Sequence, residues 1–288
     1  MTTRSTLGII GGSGLYDIDG LVQVDEARVD TPYGPPSDVI VRGRLGETQL
    51  LFLPRHGRGH RIAPHQIDYR ANVCALKKLG ATHLVSVSAV GSLKEGIAPG
   101  DFVIVDQFVD LTKRRVSTFF EDGIVGHVGF ADPVCALLSS ALAGAAERTG
   151  ARVHRGGTYV CIEGPQFSTR AESHLYRSWG ASVIGMTAMP EAKLAREAEL
   201  PYALLALATD YDCWRESEED VSVQAVLAVL QRNVATARKT IAELSGALPD
   251  ASTGQAATAL AAALMTSRDR IPPATFERLA WLVGKYLG

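Results

Sequence analysis

The aspartates at positions 210 and 212 have the type and spacing of residues that bind a ligand or transfer a proton. They follow the apolar run YALLALAT at residues 202–209, whose length and lack of periodicity predict a strand buried on both faces. Ligands of open α/β sheets bind beyond the carboxyl ends of strands. Two acids there can accept hydrogen bonds from amino groups, bind a metal or, when protonated, donate a proton to a leaving group. A solvated turn is the alternative interpretation.

A second group of strand ends carries side chains suited to an oxyanion. The run LGII at residues 7–10 leads into GGSG at 11–14, which lacks the residues of a dinucleotide fingerprint, a P-loop or a nucleophile elbow. We therefore expect Ser13 to hydrogen-bond an anion. Arg55 and His56 follow the predicted strand QLLFL at 49–53, and arginine suits bidentate phosphate recognition. The alternative is a solvated basic loop.

Further strand ends add residues to the acidic group and to the oxyanion-binding group. Ser88 and Thr187 supply hydroxyls, Glu163 supplies another acid, and Phe167 and Met186 offer apolar surface. An anion pocket beside an acid-lined apolar pocket describes a site for two substrates. The sequence therefore predicts inorganic phosphate and a molecule with ring nitrogens as ligands.

A metal site is not expected. The spacing of His56, His60 and His65 suggests zinc, but Pro64 and two glycines place them in a loop without helical geometry or an acidic partner. The four cysteines form no CxxC pair and are interpreted as reduced thiols; they are Cys74, Cys135, Cys161 and Cys213.

Composition excludes several classes of protein. A net charge of −2 over 288 residues gives no basic footprint for nucleic acid. The chain has no run of eighteen apolar residues, so no membrane span is predicted, and its N-terminus has no signal-peptide pattern. We expect a cytoplasmic protein that acts on small molecules.

The remaining patterns predict the elements that position these residues. Strands are expected near residues 38–42, 83–89, 101–105, 157–162 and 182–184, and helices near 67–79, 133–148, 171–179, 189–200 and 221–244. Residues 110–130 are irregular, and a connection this long is usually functional or interfacial. A breaker-rich stretch after residue 245 separates residues 1–245 from a C-terminal extension, 246–288. We expect two helices there, one alanine-rich and one over 275–287, packed on the body or on a neighbouring subunit.

Eight motifs in unbroken order resemble the trimeric purine nucleoside phosphorylases. They are GGSG at 11–14, PRHG at 54–57, SAVGS at 88–92, GDFVIVDQF at 100–108, IEGPQF at 162–167, RAES at 170–173, GMT at 185–187 and ATDYDCW at 208–214. The chain is most similar to the branch that acts on S-methyl-5′-thioadenosine. The resemblance covers about residues 7–244 and implies a single-domain α/β fold, with a mixed, partly barrel-like sheet surrounded by helices, assembled as a homotrimer.

The resemblance also implies a role for each matching residue. Phosphate, as co-substrate and without any other cofactor or metal, would contact Ser13, Arg55, His56, Ser88, Ala89 and Thr187. Ribose would lie on Met186, the base on Phe167 and Ser168, and its N7 and 6-amino edge would face Asp210 and Asp212. The 5′-methylthio group would lie near Val223, Val226 and Leu227, with His127 reaching it from a neighbouring subunit. Asp210 would protonate the departing adenine, leaving 5-methylthioribose 1-phosphate.

One departure from the pattern of this branch widens the range of substrates. Gly185 stands where the branch more often has asparagine, and glycine there is found in phosphorylases of 6-oxopurine nucleosides. Inosine, guanosine or methylthioinosine is therefore an alternative substrate. A nucleosidase that uses water, or a non-catalytic purine-binding protein, would also fit parts of this pattern. Dependence of turnover on phosphate separates both from a phosphorylase.

Overall fold

The computed structural model describes residues 5–12, 14–215 and 223–288, without the side chains of residues 223–228 and 230. Ser13 and the predicted 5′-pocket side chains Val223, Val226 and Leu227 lie outside this description. No helix of the described residues is long and apolar enough to cross a membrane.

The described residues form one mixed sheet. Its strands are β1 Thr6–Gly11, β2 Val22–Ala27, β3 Ile40–Leu45, β4 Thr48–Pro54, β5 His83–Ser92, β6 Phe102–Val105, β7 Gln107–Asp110, β8 Val153–Arg155, β9 Thr158–Cys161, β10 Val183–Gly185 and β11 Tyr202–Asp210. The helices are α1 Tyr69–Lys78, α2 Ala136–Arg148, α3 Arg170–Ser178, α4 Glu191–Glu197, α5 Val223–Ser245 and α6 Pro273–Leu287.

The sheet branches at β5. This strand pairs in parallel with β1 and β11, and antiparallel with β10. One arm continues from β1 through β4 and β3 to β2, a second from β10 through β9 to β7, and a third from β11 through β6 to β8. The branching sheet confirms the expected single-domain α/β fold with a mixed sheet.

Burial on both faces explains why the run before Asp210 has no periodicity. In β11, Leu204, Ala206 and Ala208 join the core cluster that also contains α1, α4 and α6. The alternate residues Ala203, Leu205 and Leu207 join the second cluster, with α2 and α5. Because side chains alternate across a strand, a strand covered on both faces is apolar throughout.

The alanine-rich segment of the C-terminal extension does not form the expected helix. Residues 254–263 form successive turns, with bonds such as Ala261 N–H to the Thr258 carbonyl. Other backbone groups in and just after this segment form hydrogen bonds with distant parts of the chain. Leu260 N–H donates to Glu199, the Ala263 carbonyl accepts from His127 N–H, and Met265 N–H donates to the Val125 carbonyl. These tertiary bonds compete with the helical pattern, so alanine propensity does not decide the structure.

Helix α6, by contrast, lies close to the expected range. Leu279, Leu282 and Val283 are buried in the same core as the sheet. Tyr286 and Lys285 hold the buried carboxylate of Glu199 through contacts of 2.6 and 2.5 Å. The extension therefore packs on the body of its own chain.

Candidate active site

Four parallel strands bring the predicted polar residues to one edge of the sheet. Gly11 at the end of β1 lies opposite Pro54 at the end of β4. Ser88 of β5 lies just beyond these ends and opposite Ala206 of β11, while β10 approaches from the other direction and continues into Met186 and Thr187. The strand ends surround a cavity of about 610 Å³.

Most of the predicted site residues line this single cavity. They are Arg55, His56, Ser88, Ala89, Phe167, Ser168, Met186, Thr187, Asp210 and Asp212. Leu15 and Val234 add apolar wall. Phe167 is 48% exposed, which places it at the rim.

Arg55 is committed mainly to the protein. Its Nε and Nη2 contact the buried carboxylate of Glu191 at 3.0 and 3.3 Å, and Nη2 also reaches Ser86 Oγ at 2.6 Å. Nη1 donates to the Val87 carbonyl and Nη2 also donates to the Ile10 carbonyl, so only one N–H, on Nη1, is left without a partner in these contacts with the described residues. A ligand in the cavity can therefore receive at most one hydrogen bond from Arg55, fewer than the bidentate contact that arginine can make.

We expect Arg55→Ala to lower the free energy of unfolding by about 3–5 kcal/mol, because Glu191 would stay buried without its partner. Urea unfolding measures this change. The matched control is Arg58→Ala, which breaks the half-exposed pair with Glu26 and should cost about 1 kcal/mol or less. Equal unfolding midpoints for Arg55→Ala and wild type would show that the pair does not support the cavity.

His56 is held as a neutral ring. Burial and the adjacent Arg55 guanidinium lower the pKa of His56 to about 4. Its Nδ1 lies 2.8 Å from the Ile62 carbonyl oxygen, so Nδ1 carries the proton, and the ring stacks on His60. Nε2 is then an acceptor, suited to a protonated phosphate oxygen.

Ser88 and Thr187 form a hydroxyl pair at the floor of the cavity. Both are buried, and their oxygens lie 3.0 Å apart although the residues are 99 positions apart in the chain. Two adjacent hydroxyls can both donate to one anion. The structure thus brings together the hydroxyl part of the predicted phosphate site.

Asp210 lies at the end of β11, where the register with β5 shifts. Its Oδ1 accepts from Asp212 N–H at 2.8 Å, and its Oδ2 lies 2.7 Å from Thr209 Oγ1. Thr209 Oγ1 also lies 3.2 Å from the Val90 carbonyl oxygen. Thr209 Oγ1 can donate to Asp210 Oδ2 or to the Val90 carbonyl, so both carboxylate oxygens of Asp210 have a hydrogen-bond donor within reach.

Glycine at position 91 makes room for that carboxylate. A Cβ atom on Gly91 would lie 2.9 Å from Asp210 Oδ1. So close an approach requires a residue without a side chain, and a larger residue would displace the acid.

Two buried polar atoms of the cavity have no hydrogen-bond partner among the described residues. They are Asp212 Oδ2 and Ser168 Oγ. Burial raises the pKa of Asp212 above its ordinary value, while hydrogen bonding with Ser173 acts in the opposite direction. Because unpaired buried polar atoms are costly, these two are suited to bonds with a ligand.

Other predicted residues lie elsewhere. His127 is exposed and does not line the cavity of its own chain. Glu163 accepts from the backbone N–H groups of Lys113 and Arg114 and pairs with Arg115, so it supports the wall and does not face the ligand space. These contacts lower the pKa of Glu163 against the effect of burial.

Two supporting residues were missed from the sequence. Arg115, whose side chain is 1% exposed, donates to the carbonyls of Met186 and Met189 and so fixes the loop after β10. Glu191 lies in the first turn of α4 and pairs with Arg55. Arg115 lies in the irregular segment 110–130 and Glu191 in a predicted helix, and a charged residue in either setting normally indicates a solvated surface, so neither position carried a signal.

Comparisons with known proteins agree on one family. The model of the phosphorylase superfamily matches residues 6–245. S-methyl-5′-thioadenosine phosphorylase of Geobacter sulfurreducens is 55% identical, over 99% of this chain and 100% of that protein. The corresponding protein of Koribacter versatilis is 52% identical over 99% of this chain and 98% of its own.

Solved structures give the same grouping. A methylthioadenosine phosphorylase from an antarctic soil metagenomic library superposes with a TM-score of 0.92 at 48% identity, covering 97% of this chain and 99% of that one. A mutant of the adenosine/methylthioadenosine phosphorylase of Schistosoma mansoni, in complex with methylthioadenosine, gives 0.81 at 35% identity and covers 98% of both chains.

Proposed function

This chain belongs to the phosphorylase superfamily, and we propose that it catalyses the reversible phosphorolysis of S-methyl-5′-thioadenosine to adenine and 5-methylthioribose 1-phosphate. One observation carries the proposal. A single cavity joins the hydroxyl pair of Ser88 and Thr187 to the acids Asp210 and Asp212, and the acid side holds the unpaired atoms Asp212 Oδ2 and Ser168 Oγ. These groups match phosphate at one end and a nitrogen base at the other.

Three tasks divide among the residues. The transition state of glycosidic cleavage resembles an oxocarbenium ion, so phosphate held below C1′ both attacks and stabilises the positive charge. Ser88, Thr187, His56 and the remaining N–H of Arg55 hold it there. Asp210 delivers a proton to N7 of the departing base, while Asp212 accepts from the 6-amino group.

The rest of the cavity excludes water. Phe167 and Met186 cover the base and the sugar, and Leu15 and Val234 extend the apolar wall. Exclusion of water favours phosphate over hydrolysis. The proposed nucleophile keeps its P–O bonds intact, so no metal or cofactor is assigned. We propose that the protein acts in the cytoplasm, with residues 1–245 as the catalytic domain and residues 246–288 as a supporting extension.

Release of adenine from methylthioadenosine should depend on phosphate and survive chelation. We expect saturable phosphate dependence and no loss of rate with EDTA. The assay follows free adenine with and without phosphate in otherwise identical buffer. Equal rates in phosphate-free buffer would instead support a nucleosidase, and no release at all would support a non-catalytic purine-binding protein.

We also propose that the active form is a homotrimer in which His127 completes the site of a neighbouring subunit. His127 is exposed beside a pair of exposed apolar residues, Val125 and Met265, whose backbones are hydrogen-bonded to each other. An exposed apolar patch next to a histidine suits contact with another chain. The match to trimeric phosphorylases in sequence motifs supports the same assembly.

Mixing two impaired variants tests the shared site. His127→Ala should weaken use of the nucleoside more than use of phosphate, and Asp210→Asn should abolish most turnover. After joint refolding, mixed trimers contain sites with Asp210 from one chain and His127 from its neighbour, so activity should exceed the mean of the separate variants. A fully active monomer by light scattering, or no gain on mixing, would contradict the proposal.

A further inference from the structure

Position 185 has no space for a side chain. Gly185 ends β10 and lines the cavity, between the adjacent strand β9 and the loop that carries Thr187. A Cβ atom built there would lie 2.0 Å from the Tyr159 hydroxyl oxygen and 2.6 Å from its ring carbon Cζ. The phenol therefore occupies the volume that a side chain such as asparagine would need. The absence of a side chain at position 185 therefore follows from the position of Tyr159 and needs no contact with the base of a substrate.

Tyr159 is among the largest fully buried side chains of the described residues, and it contacts the hydroxyl pair. It is 0% exposed, it lies in the middle of β9, and it does not itself line the cavity. Its oxygen accepts from Thr187 N–H at 3.4 Å. Burial raises the pKa of Tyr159 to about 12, while hydrogen bonding with Ser88 and Thr187 acts in the opposite direction. Tyr159 is therefore a neutral phenol in contact with both residues.

We propose that Tyr159 is a positioning residue for phosphate, which turns the Ser88 and Thr187 hydroxyls toward the anion. This inference rests on the proposed phosphorolysis and deepens it.

Competing acceptors within the protein explain the effect. Ser88 Oγ and Thr187 Oγ1 lie 3.0 Å apart, and Ser88 Oγ also lies 3.3 Å from the Ala89 carbonyl oxygen, so each hydroxyl proton can be held by the protein instead of by an anion. The Tyr159 oxygen accepts the Thr187 backbone N–H, and the phenol also hydrogen-bonds with the Ser88 and Thr187 side chains, to which it can donate its own proton. A hydroxyl that accepts from Tyr159 turns its own proton away from the phenol, and this orientation favours donation to phosphate.

Tyr159→Phe removes this donor and keeps the ring. Loss of one hydrogen bond should raise KM for phosphate about 3–10-fold, with KM for the nucleoside changed less than about twofold. The matched control is Tyr33→Phe, which removes a buried hydroxyl that has no partner among the described residues and lies away from the cavity. The control should leave both KM values unchanged.

A double-mutant cycle tests the geometry independently. Gly185→Ala should raise KM for phosphate in the wild type because the new methyl group displaces the phenol. In the Tyr159→Val background, Gly185→Ala should change the KM for phosphate little, since no ring is there to be displaced. The two substitutions should therefore be non-additive in their effect on this KM. Melting temperatures recorded for every variant show whether each one folds.

Two outcomes would overturn the inference: an unchanged KM for phosphate in Tyr159→Phe, or additive effects in the cycle. If the wild type depends on phosphate, either result overturns only the role of Tyr159, and the proposed function still holds. A wild type that ignores phosphate would remove both.

Discussion

Asp210→Asn is expected to lower kcat for methylthioadenosine by about 10²–10⁴-fold, the usual contribution of a general acid. Adenine is a poor leaving group as an anion, and an amide cannot supply the N7 proton. The fold should tolerate the change, because Thr209 can accept from the amide and donate to the Val90 carbonyl, 3.2 Å away. Steady-state kinetics together with a melting curve separate lost chemistry from lost structure.

An N7-methylated nucleoside provides the decisive control for Asp210. Its base departs as a neutral molecule and needs no proton, so the ratio of wild-type to variant rates should shrink toward one. Asp212→Asn should cost less with methylthioadenosine, since that acid is assigned to the amino group. A kcat for Asp210→Asn close to wild type would remove this residue from the acid role.

The second large effect is the choice of base. We expect 6-amino nucleosides to exceed 6-oxo nucleosides in kcat/KM by about 10⁴-fold, because a site built around a hydrogen bond rejects an analogue that cannot form it. Ionised Asp212 accepts, whereas O6 of inosine or guanosine is itself an acceptor. Measurement of kcat/KM for methylthioadenosine, adenosine, inosine and guanosine tests this. A preference for inosine or guanosine would mean that the acids are wrongly assigned.

The pH dependence of this choice follows from the environment of Asp212. Burial raises the pKa of Asp212, and the protonated carboxyl becomes a donor that O6 can accept. The 6-amino preference should therefore weaken as pH falls through the pKa of Asp212. The Asp212→Asn variant carries an amide, which donates at every pH. Its preference for 6-amino over 6-oxo nucleosides should therefore be lower than that of the wild type and independent of pH. A wild-type preference that is constant down to about pH 4, near the ordinary range of a carboxyl group, would contradict this role.

Sequence patterns predicted the strands that position the site because their signals are local. The apolar run before Asp210 reflects a strand that is buried on both faces. The glycine-rich turn after residue 10 follows the buried strand β1 and reflects close approach of the backbone. The positions of His56 and Thr187 at strand ends also predicted their place in an anion pocket, whereas the roles of Ala89 and Ser168 came from the resemblance to a family. All four residues line one cavity.

What the sequence did not predict depends on contacts between distant segments. Glu191 meets Arg55 across 136 positions, and Tyr159 meets Thr187 across 28, so no spacing rule connects them. The edge strand β2 was also missed, since its outer residues Val22 and Val24 are exposed and its sequence gives no buried apolar face. In residues 254–263, tertiary hydrogen bonds overrode helix propensity.

Phosphorus NMR of the reaction with methylthioadenosine tests phosphorolysis most directly. We expect one equivalent of a new sugar-phosphate resonance for each adenine released, with a matching loss of inorganic phosphate. Addition of adenine to the isolated sugar phosphate should regenerate the nucleoside, because the reaction is reversible. Release of adenine with free 5-methylthioribose and no new phosphorus resonance would contradict phosphorolysis.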